Sequence, residues 1–193
     1  MRTLNGTPMS MSSVGENQPR PVVYFAHGKE SGPWGIKITA LAEVARHQGF
    51  AVESPDYRGL STTERIQLLT RRLDEEVRPV LLVGSSMGGY VSAVVANRLA
   101  VEGLFLLAPA LYLPVAGYEE TEFAPQTCEI AVVHGWSDDI VPVSAAQRFA
   151  QAVDCDLHLL RAGHTLNDRI PVLEGLFGAF LRRVARVDAP AAP

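Results

Sequence analysis

Short runs of apolar residues alternate along this chain with longer stretches in which apolar and polar positions recur at helical spacing. The runs "PVVYFAH" (21–27), "FAVESP" (50–55), "PVLLVGS" (79–85), "GLFLLAP" (103–109), "EIAVVHG" (129–135) and "CDLHLLR" (155–161) read as strands. Most are apolar without alternation, as strands covered on both faces are. The stretches near 35–48, 62–78, 87–100, 144–153 and 167–186 read as helices, and the second opens with Ser61 and Glu64 at capping-box spacing. Strand–helix alternation of this kind predicts an α/β fold: a doubly wound, mostly parallel six-stranded sheet with helices on both faces. Chemistry is then expected just beyond the carboxyl ends of the strands.

Composition narrows the setting. The chain has 193 residues, 47% hydrophobic and 20% charged, enough for one domain that buries about 70% of its unfolded surface. That domain is expected over 21–186, between a flexible polar lead-in (1–20) and a flexible tail (187–193). A net charge of −4 with no Lys/Arg run gives no electrostatic basis for a nucleic-acid partner. No apolar stretch approaches ~18 residues, so no membrane span is expected. The N-terminal segment also lacks the apolar core of a secretory signal. Cys128 and Cys155 have no metal-ligand spacing and read as buried thiols of a reducing compartment. A cytoplasmic protein, monomer or homodimer, is the simplest expectation.

The segment "LVGSSMGGY" (82–90) follows the third strand and opens a helix. Its glycines do not have the spacing of a dinucleotide fingerprint. "AHGKES" lacks the first glycine and the hydroxyl residue of a phosphate-binding loop. What fits is G-x-S-x-G over Gly84, Ser86 and Gly88. A chain that turns from strand to helix within a residue strains the central residue and crowds its flanks, so glycines two before and two after are needed. Ser85 has Val83 and Met87 at those flanks and cannot occupy the corner. Ser86 is the candidate nucleophile. A serine hydroxyl needs a base, and the base an orienting carboxylate. Asp138 and Asp139 follow the fifth strand in "VVHGWSDDIVP", and His164 follows the sixth in "LLRAGHTLND".

With these motifs in the order Ser, Asp, His, the chain resembles a small, cap-less α/β-hydrolase of the serine esterase type from "VVYFAHG" to its last helix. The resemblance implies H-G-x-x-D-x-x-V-P around the acid, which here runs His134 to Pro142 and selects Asp138 over Asp139. It implies His164 as base, and the backbone N–H groups of Lys29 and Met87 as the oxyanion hole. No cofactor is expected, and a metal held by His134, Asp138 and His164 is set aside because serine chemistry uses these residues without one and no paired-ligand helix or Cys cluster supports it. His27 and His134 each precede a glycine and are expected to be supporting hydrogen-bonding residues.

Other residues carry ordinary expectations. His47 suits the carboxyl end of its helix, His158 alternates with leucines and is expected to face solvent, and Asn167 and Asp168 are expected to cap the last helix. Lys29 and Glu30 bring charge to the rim of the site, where they either meet a polar substrate group or, as expected first, pair with each other and face water. Trp34, Trp136 and Tyr112 follow strands, where either a pocket wall or plain packing would place them. Residues 110–128 have room for a loop or one short helix but not for a cap domain, so the site is expected to be open. Carboxylic esters of small or exposed acyl groups rank first as substrates, and acyl-protein or acyl-carrier thioesters second. A peptidase, or a binding protein that keeps the fold without catalysis, are the further alternatives.

Overall fold

Backbone groups of a strand buried on both faces must find partners in neighbouring strands, and here they do so in one sheet. In the computed structural model, which describes residues 20–127 and 129–187, six strands form where the apolar runs predict them. They are β1 (Val22–Ala26), β2 (Ala51–Glu53), β3 (Val80–Ser85), β4 (Gly103–Leu107), β5 (Ile130–Gly135) and β6 (Asp156–Leu160). The expectations for the lead-in, for Cys128 and for the tail beyond Val187 lie outside the described residues.

The sheet order is β2-β1-β3-β4-β5-β6 and every pairing is parallel. The chain winds from β1 outward to β2, then crosses back to β3 and continues the other way. The reversal leaves a crevice between the carboxyl ends of β1 and β3, where doubly wound sheets bind their ligands.

Helices α1 (Ile36–His47), α2 (Thr62–Asp74), α3 (Met87–Ala96), α4 (Val143–Val153) and α5 (Ile170–Val187) cover both faces. Alternate strand residues serve opposite cores. Val23, Phe25, Leu81, Val83, Phe105 and Val133 pack with Leu41, Phe177 and Phe180 of α1 and α5. Val22, Tyr24, Leu82, Leu104, Leu106 and Val132 pack with Leu69, Val91, Val94 and Phe149 of α2, α3 and α4. Two faces that both need apolar side chains explain why β1, β3 and β4 read as unbroken apolar runs.

The outer strands are less covered. His158 in β6 is half-buried and not solvent-facing as the alternation suggests, because α5 and α4 only partly cover this sheet edge. Cys155 is also half-buried, and desolvation pushes its thiol up to about 12. At the head of α2 the capping box forms: Glu64 N donates to Ser61 Oγ at 3.3 Å, and Ser61 N donates to Glu64 Oε2 at 2.7 Å. Arg46 and His47 occupy the last turn of α1, where cations complement the helix dipole. Asn167 and Asp168 do not cap α5. The chain enters that helix through a 3₁₀ turn, Asn167–Arg169, which replaces a capped start, and Asp168 lies 3.5 Å from Arg169.

Replacing Ser61 by Ala removes one half of the capping box and is expected to cost about 1 kcal/mol of stability. Urea unfolding should show this as a lower midpoint at constant slope. An unshifted midpoint would mean the box contributes nothing.

Candidate active site

Strand β3 passes into α3 through a single residue, and that residue is Ser86. Its backbone is forced to φ 54°, ψ −119°, a left-handed conformation that side chains rarely adopt. Packing imposes the strain. A Cβ at position 88 would collide with the main-chain carbonyls of Ala26 and His27, and one at 84 would strike the backbone of Gly88 and Gly89. Glycines at 84 and 88 therefore let α3 descend onto β1 and β3. Main-chain bonds hold the corner from several sides. Ser86 N donates to Leu107 O at 3.0 Å, while Ser86 O accepts from Gly89 N at 2.9 Å and Ala110 N at 3.0 Å.

The loops after β5 and β6 bring the other two candidates to this corner. His164 Nε2 lies 2.9 Å from Ser86 Oγ, and His164 Nδ1 lies 2.8 Å from Asp138 Oδ2. The Asp138 side chain is fully buried and that of His164 is 17% exposed. A carboxylate removed from water must be satisfied by donors. Asp138 Oδ1 accepts from Ile140 N at 2.9 Å and Val141 N at 2.8 Å, and Oδ2 also lies 3.2 Å from His134 Nε2. The Asp138–His164 pair selects the tautomer with the proton on Nδ1, leaving Nε2 to accept the Ser86 hydroxyl proton.

His134 is fully buried on β5, with Nε2 3.0 Å from Val141 O and Nδ1 without a partner. It therefore braces both the carboxylate and its loop. Asp139, next along, is exposed and has no bond to His164. Lys37, at the start of α1, donates to Thr165 O beside His164, and burial lowers its ammonium to about 8.

On the β1 side, Gly28 stands against Ser86: a Cβ there would lie 3.5 Å from Ser86 Cβ. Lys29 is the next residue, and Met87 is the first of α3, where leading N–H groups have no acceptor within the helix. The side chains of Lys29 and Glu30 are exposed, and no ion pair joins them among the described residues. The expected surface pairing does not form.

His27 is fully buried and desolvation lowers its pKa, so the ring is neutral. Its Nε2 accepts from Tyr57 N at 2.9 Å, and its Nδ1 therefore donates to Gly28 O at 2.7 Å. The same turn is held by a residue the helical periodicity does not single out. Arg65 of α2 is only 2% exposed and donates from Nη1 to His27 O at 3.0 Å and Gly28 O at 3.4 Å. Its position was detectable in one respect: 65, 69 and 73 form a stripe with Leu69 and Leu73, both buried.

Residues 110–127 run without a helix from the carboxyl end of β4 to the far end of α3, where Ala124 N donates to Asn97 Oδ1 and Gln126 N to Ala96 O. Ala108, just after β4, and Tyr112, in this loop, take positive φ values of 42° and 56°. Arg148 stacks over the Tyr112 ring at 3.9 Å, and Tyr90 Oη accepts from Glu120 N at 2.9 Å. Trp34, Ile36, Val115, Trp136 and Ile140 are all exposed on loops or helix starts at the carboxyl end of the sheet. A polar cleft lined by Tyr24, Glu53, Arg72, Glu76 and Arg78 lies elsewhere and touches none of the three candidates. Among the described residues no group of three or more His, Cys, Asp or Glu side chains is arranged to hold a metal ion. No helix among them is long and apolar enough to cross a membrane.

The fold as a whole has counterparts among known proteins. A solved member of the alpha/beta superfamily from Xanthomonas campestris pv. campestris is 32% identical. It matches with TM-score 0.73 over 85% of this chain and 99% of its own. The mitochondrial palmitoyl-protein thioesterase ABHD10 of Mus musculus is 24% identical, over 79% of this chain and 71% of its own length. A solved α/β serine hydrolase without a lid, also from Xanthomonas campestris, is 22% identical with TM-score 0.67, over 91% of this chain and 85% of its own. The profile described as "Alpha/beta hydrolase family" matches residues 23–192, and this chain belongs to that family.

Proposed function

We propose that this chain is a serine hydrolase that cleaves carboxylic esters of small or exposed acyl groups through an acyl-enzyme on Ser86. The observation that carries the reading is the unbroken line from Ser86 Oγ through His164 to Asp138, with links of 2.9 and 2.8 Å. In this reading His164 takes the Ser86 proton as Oγ attacks the carbonyl carbon. Asp138, already bonded to Nδ1–H, stabilises the imidazolium that results. The N–H groups of Lys29 and Met87 receive the oxyanion. His164 then protonates the leaving alcohol, and later activates the water that releases the acid and frees Ser86. The cycle needs neither cofactor nor metal.

A second reading keeps the same machinery but takes a thioester presented by an acyl-protein or acyl carrier. Two observations favour it. The mouse relative is a palmitoyl-protein thioesterase, and the exposed Trp34, Ile36, Trp136 and Ile140 would suit an acyl chain delivered to an uncovered site.

Intact-mass measurement after fluorophosphonate treatment tests the shared chemistry. One adduct is expected on wild type and on Ser85→Ala, and none on Ser86→Ala. Folded wild type that stays unmodified would sink the hydrolase reading. Asp138→Asn should lower kcat by roughly 10⁴ through loss of the working tautomer, while Asp139→Asn should leave it unchanged. An ester and thioester chain-length series separates the two substrate readings. Highest kcat/KM on short oxyesters is the expected result, and highest kcat/KM on long-chain thioesters moves the assignment to the second.

A further inference from the structure

A guanidinium buried on the apolar stripe of a helix needs a reason. Leucine would fill that position without a desolvation cost, and buried arginines ordinarily lie against carboxylates. Among the described residues Arg65 has no carboxylate within 4.0 Å. Asp56, whose charge it feels, is bound bidentately by Arg58 instead. Every hydrogen bond of Arg65 goes to a main-chain carbonyl: Leu60 O at 3.2 Å, His27 O at 3.0 Å and Gly28 O at 3.4 Å. Its Cζ also lies 5.7 Å from the centre of the Tyr57 ring. The cation is thus spent on the turn that follows β1.

We propose that Arg65 is a positioning residue for the oxyanion hole, fixing and polarising the Gly28–Lys29 peptide so that the Lys29 N–H is held toward Ser86. The inference rests on the serine-hydrolase reading above and extends it to a residue outside the triad. Its geometry follows from the planarity of a trans peptide, in which C=O and N–H point in opposite directions. No cis peptide occurs among the described residues. A donor that grips Gly28 O from the α2 side therefore sets the direction of the Lys29 N–H away from α2. Gly28 O is held twice, by Arg65 Nη1 and by His27 Nδ1 at 2.7 Å. The His27 grip is locked, because Tyr57 N occupies its other nitrogen.

Polarisation adds to position. A charged donor on the carbonyl draws electron density through the amide and makes the N–H at its other end a stronger donor, an effect that grows at low local dielectric. Because this turn stands against Ser86, with Gly28 in reach of its Cβ, the strengthened amide lies beside the carbon that is attacked. The interaction matters most when negative charge has built up, so the effect belongs to the transition state and not to substrate binding.

The test compares wild type with Arg65→Met and Arg65→Gln on p-nitrophenyl acetate, with active sites counted by fluorophosphonate burst. Affinity for a trifluoromethyl ketone, which captures serine as a hemiketal oxyanion, is measured in parallel. An unreactive wild type would overturn the hydrolase reading itself, whatever the variants do. With wild type reactive, Arg65→Met should lose roughly 10² in kcat per active site, the size of effect seen when a reacting group is misplaced by about 1 Å. KM should barely move, and ketone affinity should fall by the same factor as kcat. Arg65→Gln keeps one N–H donor without the charge and should show a smaller loss in the same two readouts. It decides the matter if the methionine variant does not fold. Wild-type kcat per active site and wild-type ketone affinity in the folded variants would overturn the proposal, as would a rise in KM alone. Either outcome would leave Arg65 a packing residue.

Discussion

The close approach of α3 to the carboxyl end of β1 is the contact on which the rest of the site depends. Without a side chain at Gly88, the first turn of the helix can rest on the carbonyls of Ala26 and His27. That contact forces the chain to reverse at Ser86, places the positive end of the helix dipole behind the serine, and brings Gly28 against it. The strain at φ 54° is held by bonds to Leu107 and Ala110 at the exit of β4 and to Gly89 of α3. The backbone of Ser86 is thus fixed by its surroundings in a conformation its own preferences would not choose.

Electrostatically the site is arranged from outside inward. Asp138 is kept as a fully buried acceptor by two loop amides and by His134, so its remaining capacity is directed at His164. On the opposite flank the charge has the other sign, with Arg65 beneath the β1 turn, while Lys37 holds the carbonyl of Thr165 on the His164 side. In the proposed hydrolase, an anionic group beside the imidazole and a cation behind the β1 turn would favour charge separation across an adduct on Ser86.

Much of this was legible in the chain itself, for identifiable reasons. Strands buried on both faces show as unbroken apolar runs, and the corner at Ser86 shows because sterics permit only glycine on either side. Spacing alone left Asp138 and Asp139 open, and the likeness to the H-G-x-x-D pattern was needed to separate them. The misses have local causes. Helix α2 was expected to reach 78, but Glu75 caps it ahead of the Val77–Pro79 approach to β3. Helix α3 stops at Ala96 because Asn97 turns its side chain to the loop, bonding Ala124 N and Glu122 O. Arg65 was hidden because a charged residue in an amphipathic helix reads as surface unless its register with Leu69 and Leu73 is weighed above its charge. His134 as a brace was foreseen in kind, although its contact with the carboxylate depends on a loop geometry that spacing does not reveal.

The three side chains of the site are not equally well anchored. Ser86 grows out of the centre of the sheet, whereas His164 hangs from β6, an edge strand with a single neighbour and only half-buried side chains. Edges of this kind open at lower free energy than central strands, in local excursions that leave the core intact. The imidazole therefore belongs to the part of the molecule that frays first. In the proposed hydrolase, warming would part the serine from its base while both cores still stand, and activity would vanish before the fold does.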